Sequence, residues 1–316
     1  MKPTISIVIR CKNEEKYIGG VLTRIFEQVS QVPYEVVILD SGSTDRTLEI
    51  VRKFNIRLFE ILSEKFNYSY ALNYVIGLTQ GEIICCLSAH CLPNNNQWLM
   101  ELTEPILSGQ AEATIGKQIP IKGMNPFEEV ALLTLFPAKT PKKYSPHMSN
   151  ANCSFLKKLW EENKFDEKIV MWEDFFWQSQ LKHKYRFIYC PSATVYHSHP
   201  FTLKYWLKRS YFDGKAAQYI YQQTGFDITY GDLTSRKACL KHFLLTSYIA
   251  GRYFIRQKYP KMLFLLPVVK PLLFMAYLKG IREKTGMAGE KNQGEPIPLR
   301  GRGIQAGTKS DPADEG

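Results

Sequence analysis

Two carboxylates stand side by side near the middle of the chain, and two histidines follow them. Glu173 and Asp174 begin a predicted helix, and strands are predicted at 185–189 and 194–196, the second of which ends on His197 and His199. A carboxylate held by a rigid element can act as a general base, and imidazoles can bind a divalent cation. The same two acids would also stabilise the positive end of a helix, which attracts negative charge. This stretch alone leaves both interpretations open.

The composition is that of a folded protein with an anionic partner. The chain has 316 residues, 45% of them hydrophobic, which is enough for one large α/β domain with an appendage. The net charge of +11 suits nucleotide phosphates or anionic lipid. Nucleic acid is not expected, because the basic residues are scattered and no nucleic-acid-binding motif accompanies them.

Cysteine usage and the first residues predict a cytoplasmic protein. Seven cysteines without a CxxC pair indicate buried free thiols in a reducing compartment. The chain enters a predicted strand directly after MKPT, with no apolar segment of the signal-peptide type.

Apolar runs and helical spacings alternate over the first 90 residues. We predict buried strands at 5–9, 34–39, 56–61 and 82–87. This alternation predicts a parallel sheet that binds its ligand at the carboxyl ends of the strands. Polar clusters stand at three of those ends: RCKNE, DSGSTD and SAHC. We therefore expect one site along that edge, without the glycine-rich phosphate loop of dinucleotide enzymes or P-loop NTPases.

Taken in order, the motifs resemble a known family. SIVIRCKNEE, EVVILDSGSTDRT, FNYSYALN, CCLSAHCLP, WEDFFW and VYHSH resemble inverting family 2 glycosyltransferases with the GT-A fold. The resemblance implies a mostly parallel central sheet, a first half that binds a nucleotide-diphosphate sugar, and a second half that shapes the acceptor site. It predicts a catalytic domain over residues 1–214, followed by a helical region over 215–282. The composition of residues 283–316 predicts a disordered tail.

The resemblance also assigns residues to the donor. The positions are Asn13, Glu14, Asp40, Tyr70, Ser88, His90, Asn150 and Asn152. Asp40 would accept a hydrogen bond from the base or ribose, whereas Asp45 is better explained by turn formation. Tyr70 stands where the related pattern has an arginine. The segment with Asn150 and Asn152 would lie along the donor sugar, although turn formation also explains it.

Ser88-Ala89-His90 stands where the family carries an Asp-x-Asp signature. Those carboxylates hold a divalent cation against the diphosphate and offset the charge of the leaving group. Serine supplies no charge, so a cation here would depend on His90, with His197 or His199 as further ligands. Imidazole suits Mn²⁺ better than Mg²⁺, and either ion is the predicted cofactor. A metal-free site neutralised by basic residues is the alternative.

For catalysis, the resemblance implies that Asp174 deprotonates the acceptor hydroxyl. Glu173 would position that base or bind the acceptor. Inversion uses one direct displacement, so one base suffices. Lys117 and Gln118 resemble a family element on the acceptor side. We expect residues 123–148 to form a flexible loop over the acceptor site.

Residues 262–278 are nearly all apolar but contain Pro267, Lys270 and Pro271. A spanning helix needs about 20 apolar residues, and a central Lys costs roughly 2.5 to 3.5 kcal/mol. We therefore expect an interfacial or re-entrant hairpin on the membrane, with helix packing on the catalytic domain as the alternative. The surrounding basic residues suit anionic lipid.

These features predict a glycosyltransferase that is peripheral on the inner face of the cell membrane. It would move a sugar from a nucleotide-diphosphate donor to a lipid-linked glycan in cell-surface polysaccharide synthesis. A transferase with a soluble acceptor is one alternative. The other is a non-catalytic nucleotide-sugar-binding or scaffold component of a glycan assembly complex, which the departures at Ser88 and Tyr70 favour.

Overall fold

The structure is a computed structural model that describes residues 2–139, 147–225 and 236–283. Its strands are β1 Ile5–Cys11, β2 Tyr34–Asp40, β3 Arg57–Glu60, β4 Ile83–Ser88, β5 Leu92–Pro93, β6 Ala113–Ile119, β7 Asn152–Leu156 and β8 Phe187–Tyr196. Its α-helices are α1 Ile18–Phe26, α2 Thr47–Val51, α3 Tyr68–Gly77, α4 Trp98–Leu107, α5 Pro126–Leu135, α6 Lys157–Glu162, α7 Glu173–Leu181, α8 Leu203–Thr224, α9 Arg236–Arg256 and α10 Pro260–Arg282.

The strands form one mixed sheet in the order β3-β2-β1-β4-β7-β6-β8-β5. The first four of these are parallel, as their β-branched runs and helical connections predict. β7 is antiparallel to both β4 and β6, and β6 then pairs in parallel with β8. The parallel half therefore brings the ends of β1 and β4 together, and the second half brings the end of β8 to the same region.

Alternation along the strands builds a core on each face of the sheet. Ile7 and Ile9 of β1 join a cluster with residues of α1 and α4, whereas Val8 joins a cluster with residues of α3 and α7. A fully buried tryptophan anchors each core, Trp98 on the first face and Trp177 on the second. Full burial of a large apolar side chain contributes about 1.5 to 3 kcal/mol to the stability of the fold. The packing of α4 and α7 on the sheet therefore holds its edge in place.

Two connections differ from the sequence prediction. The strands expected at 185–189 and 194–196 are parts of one strand, β8, whose register against β6 shifts between Gly116 and Lys117. Pro191 lies in the shifted stretch, where a residue without a backbone donor is tolerated. The loop expected over 123–148 contains α5, because Asn125 caps it and Pro126 occupies its first turn. Residues 140–146 of that loop lie outside the described residues.

The predicted re-entrant hairpin is wrong, because α10 is one continuous helix through Pro267 and Pro271. The prolines are four residues apart, so both missing donors lie on the same side of the helix. By length and composition, α10 is the one helix among the described residues that could cross a membrane. The predicted domain boundary at residue 214 falls inside α8, and the predicted disorder of residues 284–316 lies outside the described part of the chain.

The sequence predicts buried free thiols, and six of the cysteines are described in the structure as such. They are Cys11, Cys85, Cys86, Cys91, Cys153 and Cys190. Burial raises the pKa of the Cys85 thiol well above its usual value, which keeps it protonated and inert.

Candidate active site

A cavity of about 260 Å³ opens at the carboxyl ends of β1 and β4. This is the edge of the sheet at which the sequence predicts a site. Polar and charged side chains line it from three loops: Arg10, Lys12, Glu14, Ser88, His90 and Asn150. Two cations at the mouth of a partly apolar cavity suit an anionic ligand with an organic ring.

Beside this cavity, the structure brings His90, His197 and His199 together. Their ligand atoms all lie within 4.8 Å of one another. The Nε2 atoms of His90 and His197 are 3.3 Å apart, and the ring of His199 lies 4.8 to 4.9 Å from the other two ring centres. Nitrogens bound to one tetrahedral metal at about 2.1 Å stand about 3.4 Å apart. The His90–His197 pair therefore has the separation that one bound cation requires, and the ring of His199 lies beside that pair.

The other ring nitrogen of each histidine is fixed by a side-chain oxygen. The Nδ1 contacts are His90 to Glu14 at 2.9 Å, His197 to Gln118 at 2.6 Å, and His199 to Glu128 at 2.7 Å. Such contacts hold the proton on Nδ1 and leave Nε2 to bind a metal, as in known metal sites with carboxylate–histidine pairs. Each of the three rings is thus held in place by a side-chain oxygen, with its Nε2 left available as a metal ligand.

The electrostatics of the cluster favour a neutral ring at His197. Burial holds the pKa of His197 well below its usual value, and the neighbouring His199 and His90 lower it further. A neutral imidazole can bind a metal without first releasing a proton. Among the described residues, the cluster consists of imidazoles alone, a donor set that suits Mn²⁺ or Zn²⁺ better than Mg²⁺. The residues present thus fit a transition-metal ion.

The adjacent carboxylates of α7 are hydrogen-bonded to Asn150, which lines the same cavity as His90. The Asn150 backbone N–H donates to Asp174 Oδ2 at 2.9 Å, and its side-chain amide donates to Glu173 Oε1 at 3.2 Å. Burial raises the pKa of Asp174 to about 7, and the charge of Glu173 adds to the increase. A carboxylate with a pKa near the working pH is well suited to general-base catalysis.

Two residues that the sequence analysis did not assign hold this pair in place. Arg10, which also lines the cavity, has Nη2 3.4 Å from Glu173 Oε1 and its guanidinium over the ring of Tyr68. Trp172 has a left-handed backbone with φ of 64°, a strained conformation for a bulky residue. Its indole N–H donates to Asp213 of α8 at 2.9 Å. The carboxylate pair is therefore supported from β1 and from α8.

Gln118 and Lys117 point to opposite faces of β6. Gln118 is buried, and its side chain contacts His197. Lys117 precedes it in β6, so its side chain points to the opposite face. Gln118 thus orients a histidine, and contact of either residue with an acceptor stays a prediction.

Asn152 and Tyr70 are also placed differently from the prediction. Asn152 is fully buried, where it accepts from Trp98 Nε1 and donates to the carbonyls of Lys117 and Ala193. The side-chain amide of Asn152 is thus occupied by hydrogen bonds that join β7 to its neighbours. Tyr70 stacks on Tyr74, away from the cavity. Tyr68 lines the cavity instead, because residues two apart in a helix point to opposite sides.

The remaining predicted donor residues shape the loops around the cavity. The buried carboxylate of Asp40 accepts from the backbone N–H groups of Gly42 and Ser43, at 2.8 Å each. Asn13 has φ of 55° and accepts from the Thr44 N–H, which joins the first polar loop to the second. Asp45 accepts from the Thr47 N–H at the start of α2, as the turn interpretation predicts. Contact of Asp40 or Asn13 with a donor stays a prediction.

Comparison with known proteins identifies the family. Residues 6–166 match the family model described as glycosyl transferase family 2. The chain belongs to glycosyltransferase family 2. The O-antigen chain rhamnosyltransferase RfbN of Salmonella typhimurium is 26% identical over 223 residues, 66% of this chain and 70% of RfbN. The O-antigen chain rhamnosyltransferase WbaN of Salmonella anatum is 25% identical over 201 residues, 60% of this chain and 64% of WbaN.

Solved structures confirm the GT-A fold of this family 2 chain. The mannosyltransferase PcManGT from Pyrobaculum calidifontis, in complex with GDP-Man and Mn²⁺, has a TM-score of 0.61 at 18% identity and covers 90% of this chain and 88% of its own. Glucosyl-3-phosphoglycerate synthase from Mycobacterium tuberculosis, with Mn²⁺, UDP-glucose and phosphoglyceric acid, has a TM-score of 0.52 at 18% identity and covers 74% of this chain and 84% of its own.

Proposed function

We propose that this family 2 protein is an inverting, metal-assisted glycosyltransferase. It transfers a sugar from a nucleotide-diphosphate donor to a hydroxyl of a lipid-linked glycan, on the cytosolic side of the membrane, in the synthesis of a cell-surface polysaccharide. The main observation behind the proposal is the placement of Asp174, a carboxylate with a pKa of about 7, which is hydrogen-bonded to Asn150 in the wall of a cavity that His90 of the histidine cluster also lines. The names of the two Salmonella relatives support the polysaccharide.

The cavity residues have separate tasks with the donor. Arg10 and Lys12 line it and attract the diphosphate, and Phe66 and Tyr68 offer aromatic faces to the base or sugar. A cation on His90, His197 and His199 would offset the negative charge that develops on the leaving diphosphate. Such a divalent cofactor takes over the task of the carboxylates that this chain lacks at Ser88.

The carboxylate pair has the acceptor task. Asp174 accepts the proton of the acceptor hydroxyl as that oxygen attacks the anomeric carbon, on the side opposite the diphosphate. The bond between the anomeric carbon and the diphosphate oxygen breaks, the nucleoside diphosphate leaves, and the configuration inverts. The acceptor proton stays on the Asp174 carboxyl group. Asn150 fixes Asp174 through its backbone and Glu173 through its side chain, so the base is positioned before the acceptor binds.

An Asp174→Asn variant tests this assignment. We expect kcat to fall by about 10² to 10⁴, because the acceptor loses its base, while the affinity for the nucleoside diphosphate stays unchanged. The assay follows release of UDP, GDP or dTDP from the matching sugar donors, with Mn²⁺ and a lipid extract that supplies acceptors. Glu161→Gln, which changes an exposed acid of α6, is the control.

The stereochemistry of the product is read from the same reaction by proton NMR, and an inverted anomeric centre is expected. Turnover that survives in Asp174→Asn at the rate of the Glu161→Gln control contradicts the assignment of the base. Binding of a nucleotide without any transfer by the unmodified protein supports the scaffold alternative.

A further inference from the structure

The last two described helices expose apolar side chains on one face each. On α10 these are Phe264, Val268 and Met275, with exposed fractions of 81%, 57% and 57%. On α9, Leu244, Tyr248 and Ile255 are exposed to 58%, 60% and 66%. Both sets have offsets of four and eleven residues, so each lies along a single helix face. We call these six residues the outer face.

The opposite side of α10 is already occupied by protein. A Cβ on Gly280 would lie 2.0 Å from the carbonyl oxygen of Tyr211, and a Cβ on Gly214 would lie 2.1 Å from that of Tyr277. The backbones of α8 and α10 are therefore in direct contact. Lys270, the central charge of α10, turns toward α9 and donates to Thr246 Oγ1 at 3.2 Å. Because one side of α10 is packed on protein and the other exposes apolar side chains, we expect it to lie along a surface.

The charge around the outer face identifies its partner. Between residues 236 and 283 the sequence has ten Lys and Arg but one acid, Glu283. Arg252, Arg256 and Lys279 are exposed on the same helices as the apolar residues. A second copy of the chain would bring two such positive surfaces together, which is unfavourable. A surface of apolar chains beneath anionic phosphates satisfies both the apolar and the basic residues.

We propose that the outer face docks on an anionic lipid bilayer, with α10 in the plane of the interface and its apolar side chains below the headgroups. The docking itself does not depend on catalysis; it rests on the proposed function only in giving access to a lipid-linked acceptor. α8 contacts α10 on one side and holds Trp172, beside Asp174, through Asp213. One helix, α8, thus separates the docked surface from Asp174.

Vesicle sedimentation of the full chain tests the docking. We expect the protein to bind vesicles of phosphatidylglycerol and phosphatidylcholine in equal amounts, to bind phosphatidylcholine alone more weakly, and to dissociate as salt is raised. The double variant Phe264→Glu, Val268→Glu should lose at least about tenfold in affinity for the anionic vesicles. The control is Val29→Glu, Leu62→Glu, which places two charges at equally exposed apolar positions of the catalytic domain and should bind as the unmodified protein does.

Equal vesicle binding by the two double variants, or no binding by the unmodified protein, overturns the proposal. The proposal is also overturned if the unmodified protein is a dimer in sedimentation equilibrium and does not bind vesicles, and if the dimer dissociates in Phe264→Glu, Val268→Glu. A second copy of the chain then covers the outer face. Nucleoside diphosphate binding with Mn²⁺, measured on the same samples, separates the two proposals. If it persists while vesicle binding fails, docking falls and the proposed function stands.

Discussion

At the scale of single residues, Asp174 shows how a carboxyl group becomes a base for neutral pH. Removal from water penalises its charged form, and the adjacent Glu173 penalises that form further. Backbone donors from Asn150 and Phe175 stabilise the charge and limit the increase in pKa. The balance leaves the group close to half ionised at neutral pH, where the charged fraction is a strong base.

The pH dependence of transfer follows from this balance. We expect kcat/KM to rise with pH and to level off above an apparent pKa of about 7, since the base must be ionised. In Glu173→Gln the neighbouring charge is gone, so the rise should move to lower pH. Initial rates from acid to neutral pH measure both profiles. A rise centred near 4, where an exposed aspartate titrates, or one that Glu173→Gln leaves in place, contradicts the account.

The pH dependence of the free energy of unfolding provides an independent check on the raised pKa of Asp174. The folded pKa lies above the unfolded one, so the folded state binds more protons between about pH 4 and pH 7. The free energy of unfolding contributed by this group therefore falls as pH rises through that window. Asp174→Asn should be more resistant to urea than the unmodified protein at pH 7, and the difference should shrink toward pH 4.

The sequence was sufficient to find the histidines but not their supports. His90, His197 and His199 follow predicted strands, and strand ends converge on one edge of a sheet. Gln118 and Glu128 come from distant elements, and only the folded chain shows that they contact those rings. A signal for Glu128 did exist, because Asn125-Pro126 is a helix start and places Glu128 in the first turn.

At the scale of elements, α8 connects the base to the C-terminal helices. Asp213 and Gly214 are neighbours in α8, yet they face different partners. Asp213 accepts from Trp172, whereas Gly214 meets the backbone of α10 at Tyr277. Ala216 and Ile220 of the same helix pack against Phe176 of α7. A displacement of α8 would therefore shift Trp172 and α7, and with them Asp174.

A substitution at the α8–α10 contact tests this connection. Gly280→Ala places a Cβ 2.0 Å from a carbonyl oxygen of α8, so the helices must separate, and we expect a loss of about 1 to 3 kcal/mol in the free energy of unfolding. We also expect a lower kcat, since Asp213 moves with α8. Denaturant unfolding and initial rates measure the two effects.

Gly20→Ala is the matched control, because a Cβ at this position of α1 meets nothing within 4 Å. Alanine is the better helix former, and a gain of about 0.5 to 1 kcal/mol is expected. Equal stability changes in the two variants would mean that the close helix contact is not formed.

Elements were predictable where one periodicity dominated. The β-branched runs of β1, β2 and β4 identified these strands to within about two residues. α10 was misjudged, because its prolines are strong local signals against a helix and the packing on α8 overrides them. Asn152 was misjudged because the sequence does not say which face of β7 meets the protein core.

At the scale of the whole molecule, the family 2 fold places two kinds of chemistry side by side. In the proposed mechanism, the region at the ends of β1, β4 and β8 supplies cations and histidines for the donor, and α7 supplies the base for the acceptor. The basic residues of α9 and α10, around the outer face, carry much of the net charge of +11 away from the cavity. The molecule thus has separate basic regions for a nucleotide and for lipid.

The most direct test of the metal-assisted mechanism is calorimetric titration of UDP, GDP and dTDP, with Mn²⁺ and with a chelator. This mechanism predicts that at least one nucleotide binds in a metal-dependent way, and that His199→Ala lowers this affinity at least about tenfold. The exposed His183→Ala is the control and should bind as the unmodified protein does. His199 does not line the cavity, so its loss reports on the metal centre. Binding that ignores the chelator, or that is equal in the two histidine variants, would contradict the metal-assisted mechanism.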